Sequence, residues 1–179
     1  MDGTHGEKGC ECPVKKLVCW LVVAASLSSL TACGVKTPQE RIAKELGLDA
    51  TDGTEVLHYD SHSGNGDGAS CYALQFSDDA MAESIRDQAG WASLPMDETT
   101  TLLVYGQSDN ACCVGPYLTD SSGSPLLPEI ENGYYRFIDR QADDKALSSK
   151  PILERSSYNF TVAVYDEDLD ILYYCHLDT

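Results

Sequence analysis

The sequence predicts an α+β domain with a mainly antiparallel sheet, a short N-terminal helix and one helix packed on the sheet. Runs of β-branched and aromatic residues separated by turn residues dominate the second half of the chain, which is typical of antiparallel strands. Two amphipathic segments with helix-start signals lie in the first half. Only the second of them separates strands in a way that would suit a parallel crossover, so antiparallel pairing is expected for most strands.

The first helix is predicted over 38–46. Thr37 is suited to cap it, Pro38 fits the first helical position, and Glu40 completes a capping box three residues after Thr37. Ile42 and Leu46 lie four residues apart on one face. Gly47 is placed to end the helix.

A hairpin and a second helix follow. Strands are expected over 55–60 and 71–76, on either side of the glycine-rich loop 64–68. Ser77 is then suited to cap a helix over 78–90, with Met81 and Ile85 on one face.

The second half of the chain predicts strands around a long connection. The apolar run Thr101–Tyr105, which reads TLLVY, predicts a central strand. The stretch 107–133 is rich in Gly, Pro, Ser and Asp, and a connection of this length is often functional. Further strands are expected over 134–139, 159–165 and 170–176, the last two joined by a tight turn.

The composition fits a globular domain with a short extension. The chain has 179 residues, of which 42% are hydrophobic and 23% charged, close to globular averages. Its 12 Lys and Arg against 29 Asp and Glu give a net charge of −17. Because phosphate backbones need stripes of basic residues, this composition argues against a nucleic-acid partner.

The N-terminal segment has the features of an export signal. Lys15 and Lys16 precede an apolar run from Leu17 to Leu30, about the length of a signal-peptide core. A bilayer span takes roughly 20 apolar residues, so the run is too short to be one. It ends in Leu30-Thr31-Ala32-Cys33, which resembles the lipobox of bacterial lipoproteins.

This resemblance implies cleavage between Ala32 and Cys33 and a covalent diacylglycerol or acyl lipid on Cys33, with no other cofactor. The expected organisation is a signal peptide over 1–32, a lipidated tether over 33–37 and a single extracytoplasmic domain over 38–179. The domain would sit on the outer face of the cytoplasmic membrane, with the lipid anchor as its membrane contact. A signal peptide begins with a positively charged segment, but the first twelve residues of this chain include acidic ones. A translation start at Val14 would leave a short basic segment before the apolar run.

The first hairpin contains four candidate metal ligands. His58, Asp60 and His62 alternate and would share one face if the strand continued to 62, and Asp67 lies in the adjoining loop. Imidazole and carboxylate groups are ligands for zinc or iron. The favoured interpretation is a polar hairpin tip in which Asp67 satisfies loop backbone donors, so no metal is expected.

Four cysteines remain after the expected cleavage: Cys71, Cys112, Cys113 and Cys175. A bridge between adjacent Cys112 and Cys113 would strain the peptide. This leaves 71–112 with 113–175, or 71–113 with 112–175. Neighbouring strand residues face opposite ways, so at most one bridge is expected. Disulfides are permitted outside the membrane without being compulsory.

No assembled catalytic motif is recognisable, and no catalytic residue is predicted. The chain lacks G-x-S-x-G, S-x-x-K, H-E-x-x-H and P-loop patterns. From residue 36 onward, segments such as FSDD, GPYLTD and PEIENGYY are similar to small uncharacterised lipoproteins of Gram-positive bacteria, a resemblance that implies no activity.

The leading hypothesis is therefore a non-enzymatic, lipid-anchored surface domain that binds a protein or a cell-wall ligand. Its expected binding surface is the 107–133 stretch with the 61–69 loop. The alternative is a cell-envelope hydrolase with a polar or metal site near His58, His62 and Asp67.

Overall fold

Six strands form one antiparallel sheet in the computed structural model, which describes residues 36–108 and 113–179. The sheet order is β1-β2-β8-β7-β6-β3, and a separate ribbon joins β4 and β5. The strands are β1 Thr54–Asp60, β2 Gly68–Gln75, β3 Ala92–Ser93, β4 Gln107–Ser108, β5 Cys113–Val114, β6 Gly133–Asp139, β7 Phe160–Asp166 and β8 Ile171–Asp178. Within the described ranges the helices are α1 Pro38–Leu46, α2 Ala80–Asp87 and α3 Glu98–Val104. The α+β class with a mainly antiparallel sheet is confirmed.

Residues Thr37–Thr179 form one compact unit. The expected signal peptide, the cleavage site at Ala32 and Cys33, the tether up to residue 35, and Cys112 lie outside the described residues. No helix in the described part of the chain is long and apolar enough to cross a membrane.

Helix α1 begins and ends as predicted. The Thr37 side chain accepts a hydrogen bond from the Glu40 backbone N–H at 3.2 Å, and the Glu40 carboxylate accepts one from the Thr37 N–H at 3.0 Å. Gly47 closes the helix in the left-handed conformation. Ile42 and Leu46 are buried on the face that meets the sheet.

The hairpin of β1 and β2 is also confirmed, and its loop needs a glycine. Gly68 has a positive φ of 155°, and a Cβ atom there would lie 2.5 Å from the His62 Cα. The loop backbone therefore packs too closely on itself at Gly68 for any side chain. Strand β1 ends at Asp60, so His62 belongs to the loop and not to the strand.

One helix prediction and one strand prediction are wrong. Helix α2 is shorter than 78–90, and its N-cap is Asp79, with no side-chain bond, instead of Ser77. The run Thr101–Tyr105 is not a strand but lies in α3 and its C-cap. Asp97 starts α3 by accepting the Thr100 backbone N–H at 3.0 Å. A short apolar run suits a buried strand or a buried helix equally, and this cap decides for the helix.

The two faces of the sheet are covered differently. Helices α1 and α2 cover one face and bury residues such as Leu74, Tyr165 and Leu172. The opposite face packs against α3 and the segment around 118–127, where Thr119 and Pro125 form an isolated bridge. Both sides of the central strands are therefore core, which explains why all seven residues of β7 are buried.

The predicted cysteine pairings are wrong. A disulfide joins Cys71 of β2 to Cys175 of β8, and Cys113 is free and exposed. The register places Cys71 directly opposite Cys175. The Cys71–Cys175 bridge forms independently of the strained Cys112–Cys113 bridge, and the prediction did not allow for this. One bridge lies within the described residues, as the expectation of at most one allows.

Candidate functional site

The structure brings together two of the four candidate metal ligands. The His62 Nδ1 atom lies 2.7 Å from the Asp60 Oδ1 atom, although His62 reaches it from the loop. The His62 Nε2 atom lies 3.2 Å from the Asp178 Oδ2 atom at the end of β8. Arg140 pairs with the other Asp178 oxygen at 2.9 Å. We call Asp60, His62, Asp178 and Arg140 the histidine bridge.

The other two candidates have different neighbours. The His58 ring packs 4.6 Å from the Tyr72 ring, and its Nδ1 atom lies 3.7 Å from the Glu55 carboxylate. Asp67 accepts a hydrogen bond of 2.7 Å from the Asn65 side chain, inside the loop. Among the described residues, no group of three His, Cys, Asp or Glu is arranged to hold a metal ion.

The histidine bridge fastens the 61–67 loop to the C-terminal strand. Burial alone would raise the pKa of Asp60, but hydrogen bonds from the His62 backbone and ring outweigh burial and lower it. Both ring nitrogens of His62 face carboxylates, one at the end of β1 and one at the end of β8. Sequence spacing gave no signal for Asp178 as a partner, because 116 positions separate it from His62.

A second polar group, the Glu45 cluster, lies where α1 crosses the sheet. One Glu45 carboxylate oxygen accepts the Thr161 hydroxyl at 2.6 Å. The other oxygen accepts the Tyr174 hydroxyl and lies 3.1 Å from the His176 Nε2 atom. We define the cluster as Glu45, Thr161, Tyr174 and His176.

The electrostatics of the Glu45 cluster follow from these hydrogen bonds. Burial would raise the pKa of Glu45, but the close contact with His176 and the hydrogen bonds from Thr161 and Tyr174 together lower it to about 2. Burial, reinforced by the neighbouring Glu45 charge, raises the pKa of Tyr174. The carboxylate therefore stays charged and the tyrosine stays a hydrogen-bond donor.

The described residues around the Glu45 cluster offer it no accessible thiol or serine hydroxyl. Cys175, next to His176 in β8, is held in the disulfide on the opposite face of the sheet. Ser70, the cross-strand neighbour of His176, is only 1% exposed, so a substrate cannot reach its hydroxyl. The cluster instead ties α1 to β7 and β8.

One surface cavity is acidic and polar. It has a volume of about 500 Å³ and includes Asp49, Asp52 and Asp78 in its lining. Asp49 accepts bonds from the Thr51 backbone and hydroxyl, and Asp78 accepts the Ala80 N–H. We call it the Asp49 cavity. Two of its three carboxylates thus already serve the turns that carry them.

The second cavity is mainly apolar and lies beside α3. It has a volume of about 330 Å³, and we call it the Met96 cavity. Its lining consists of Leu94, Pro95, Met96, Thr101, Tyr105, Glu129, Ile130 and Glu131. Three segments therefore build it: the residues after β3, one side of α3, and the residues before β6.

Hydrogen bonds hold these three walls together. The Leu94 N–H donates to the Gly133 carbonyl at 3.0 Å, which fixes the first wall to β6. The Tyr105 hydroxyl donates to the Pro128 carbonyl at 2.7 Å, which fixes the third wall to α3. The Tyr135 hydroxyl donates to Asp97 at 3.1 Å and so anchors the start of α3. The chain's own hydrogen bonds thus fix all three walls of the cavity.

The Met96 cavity is electrically negative. Burial, and then the charge of Glu129, raise the pKa of Tyr105 to about 12, which keeps its hydroxyl protonated. Glu129 and Glu131 are both exposed. Within the described ranges neither carboxylate has a cationic partner within 4.0 Å.

The expected binding surface overlaps this site only in part. Residues 129–131 of the predicted 107–133 stretch line the Met96 cavity. The 61–69 loop instead connects β1 to β2 and carries His62 of the histidine bridge. The walls at 94–96 and 101–105 lie outside the predicted surface, and the strand predicted for TLLVY explains why the second of them was not expected. The Asp97 cap was the signal that could have found them.

Comparisons with known proteins give this chain no family. No family model, no curated protein and no solved structure matches it.

Proposed function

We propose that the chain is a lipid-anchored extracytoplasmic protein whose domain binds a partner without catalysing a reaction. The observation that carries the proposal is the disulfide between Cys71 and Cys175, two buried residues that face each other across adjacent strands. Disulfides persist in oxidising compartments outside the cytoplasm. This agrees with the export signal and lipobox that end at Cys33.

The charge distribution supports anchoring by lipid. Residues 1–32 contain three lysines and three acidic residues, so their removal leaves the net charge of −17 on the exported part. An acidic domain is repelled by anionic lipid. Acyl chains on Cys33 would then provide the membrane affinity, and two chains anchor far more firmly than one.

The surroundings of the described histidines favour binding over catalysis. His176 faces Glu45, His62 lies between two carboxylates, and His58 packs on Tyr72. A nucleophile-activating base needs a hydroxyl or thiol within hydrogen-bond reach. The Met96 cavity, by contrast, is a formed apolar site with exposed carboxylates, which suits recognition.

Metabolic labelling with palmitate tests the anchor. We expect the label and co-sedimentation with membranes in the wild type and in the Cys113→Ser variant, which removes an exposed thiol of the domain. The Cys33→Ser variant should lose both. Label that persists in Cys33→Ser would overturn the anchor, because the lipid would then sit elsewhere.

Crosslinking in intact cells tests the binding role. The wild type should give a discrete adduct with a second protein or with cell-wall material, and the adduct should survive substitution of His58 and His62. Turnover of an envelope substrate that disappears in the same variants would instead favour a hydrolase.

A further inference from the structure

The Met96 cavity combines apolar walls with negative charge that is not neutralised locally. Leu94, Met96 and Ile130 supply aliphatic surface, while Glu129 and Glu131 supply two carboxylates. The chain contains no Lys or Arg between Arg86 and Arg136, a stretch that includes all eight lining residues. A ligand that complements this surface must be apolar in its body and positive at its ends.

We propose that the Met96 cavity binds a segment of a partner protein in which basic residues alternate with aliphatic ones. This inference rests on the proposed binding role and names the partner's chemistry. Aliphatic side chains would fill the space between α3 and the 94–96 segment, and the basic groups would meet Glu129 and Glu131. A volume of about 330 Å³ accommodates a few side chains and lies at the lower end of the range for ligand pockets.

The formed walls favour such a segment. The hydrogen bonds from Leu94 to Gly133 and from Tyr105 to Pro128 already order both sides of the cavity. Binding therefore costs little ordering on this side of the interface. A second copy of this chain is disfavoured as the occupant, because it would bring another net charge of −17.

Calorimetric titration of the full-length lipidated protein in neutral detergent tests the proposal. The probe is the peptide acetyl-Leu-Lys-Leu-Lys-Leu-amide, with a titration into detergent alone as the blank. We expect saturable binding that weakens as salt is added. Two matched peptides, one with Glu in place of Lys and one with Gly in place of Leu, should bind at least about tenfold more weakly.

Two charge variants locate the binding. Glu129→Gln with Glu131→Gln should weaken binding of the Lys peptide about tenfold, since each exposed ion pair contributes modestly. The control, Asp49→Asn with Asp52→Asn, removes the same charge from the Asp49 cavity and should change binding less than about twofold. Equal losses in both variants would mean general attraction to an acidic protein and would overturn the proposal.

Met96→Lys tests the apolar part and the competing occupant. The added ammonium group should abolish peptide binding by neutralising the carboxylates and occupying the cavity. Sedimentation analysis should show a monomer in both proteins; a wild-type dimer that Met96→Lys dissociates would identify a second copy as the occupant and overturn the proposal. Failure of the peptide titrations would leave the palmitate result intact, so the two proposals fail separately.

Discussion

The two faces of the central sheet are held in different ways. On one face, α1 and α2 pack regular helices on the strands, and the Glu45 cluster ties α1 down by side-chain hydrogen bonds. On the other face, irregular chain and α3 cover the strands, and the disulfide joins β2 to β8 underneath. The mainly apolar Met96 cavity lies beside α3, among irregular segments, whereas the polar Asp49 cavity borders α2. Regular helix packing thus borders a polar cavity, and the irregular packing beside α3 leaves an apolar one.

Removing the disulfide should have the largest effect and would show how much the irregular face depends on a crosslink. Cys71→Ala with Cys175→Ala opens a loop of 104 residues. We expect a loss of about 2–5 kcal/mol in the free energy of unfolding, because the unfolded chain gains freedom. Urea unfolding at neutral pH measures it. Cys113→Ala should change stability by less than about 0.5 kcal/mol; a double variant as stable as this control would contradict the comparison.

Matched leucines compare the packing of the two faces directly. Leu46 on α1 and Leu103 on α3 are both 1% exposed or less. Each Leu→Ala change should cost about 2–5 kcal/mol. Leu46→Ala should lower the free energy of unfolding more than Leu103→Ala does. Hydrogen bonds from Gln88 and Arg136 to the Leu46 carbonyl hold the helix in place, so that it cannot close the space left by the deleted side chain. A larger loss of unfolding free energy for Leu103→Ala, measured with urea, would show that the face covered by α3 relaxes less than the face covered by α1 and α2.

The parts of the fold that the sequence predicted are those with local signals. All the sequence signals that predict helix α1 lie within eleven residues, from the Thr37 cap to Gly47. The two hairpin strands are separated by a glycine-rich loop that is visible in the sequence. Helix α3 was misassigned because its apolar run is short, and burial of Leu103 and Val104 is compatible with either element.

The parts that could not be predicted depend on topology. Glu45 meets Thr161 and Tyr174 across 116 and 129 positions, respectively. Cys71 faces Cys175 only because β2 and β8 are neighbours in the sheet. No residue pattern within one segment announces such a contact. The Met96 cavity is a further case, since its three walls come from separate parts of the chain.

Neutralising Glu45 should weaken only the face of the sheet that α1 and α2 cover, because Glu45 bonds α1 to β7 and β8. Glu45→Gln keeps the size of the side chain but loses the charge that accepts the Thr161 and Tyr174 hydroxyls and faces His176. We expect a loss of about 1–3 kcal/mol, since charge-assisted hydrogen bonds are the stronger kind. Glu83→Gln, an exposed change on α2, should stay within about 0.5 kcal/mol. If both variants were equally stable in urea unfolding, the Glu45 cluster would not be what holds α1 on the sheet.

The pH dependence of Glu45→Gln follows from the same group. The pKa of Glu45 is about 2 in the folded protein and 4.5 ordinarily. A lowered pKa contributes stability that is fully present above 4.5 and is lost as the pH falls through 2. The stability gap between wild type and variant should therefore shrink between pH 4.5 and pH 2. A gap that stays constant over this window would show that the charge is not what stabilises.

The smallest effects are expected at the helix caps, where the two faces should behave alike. Thr37 starts α1 and Asp97 starts α3, each by accepting a backbone N–H. Replacing either by Ala should cost about 0.5–2 kcal/mol, with Asp97→Ala at the upper end because Asp97 also accepts the Tyr135 hydroxyl. Asp79, the N-cap of α2, makes no side-chain bond, so Asp79→Ala should change the urea midpoint little. If Asp79→Ala cost as much as Thr37→Ala, the loss would come from helix propensity, and the capping bonds would not be what holds either helix at its start.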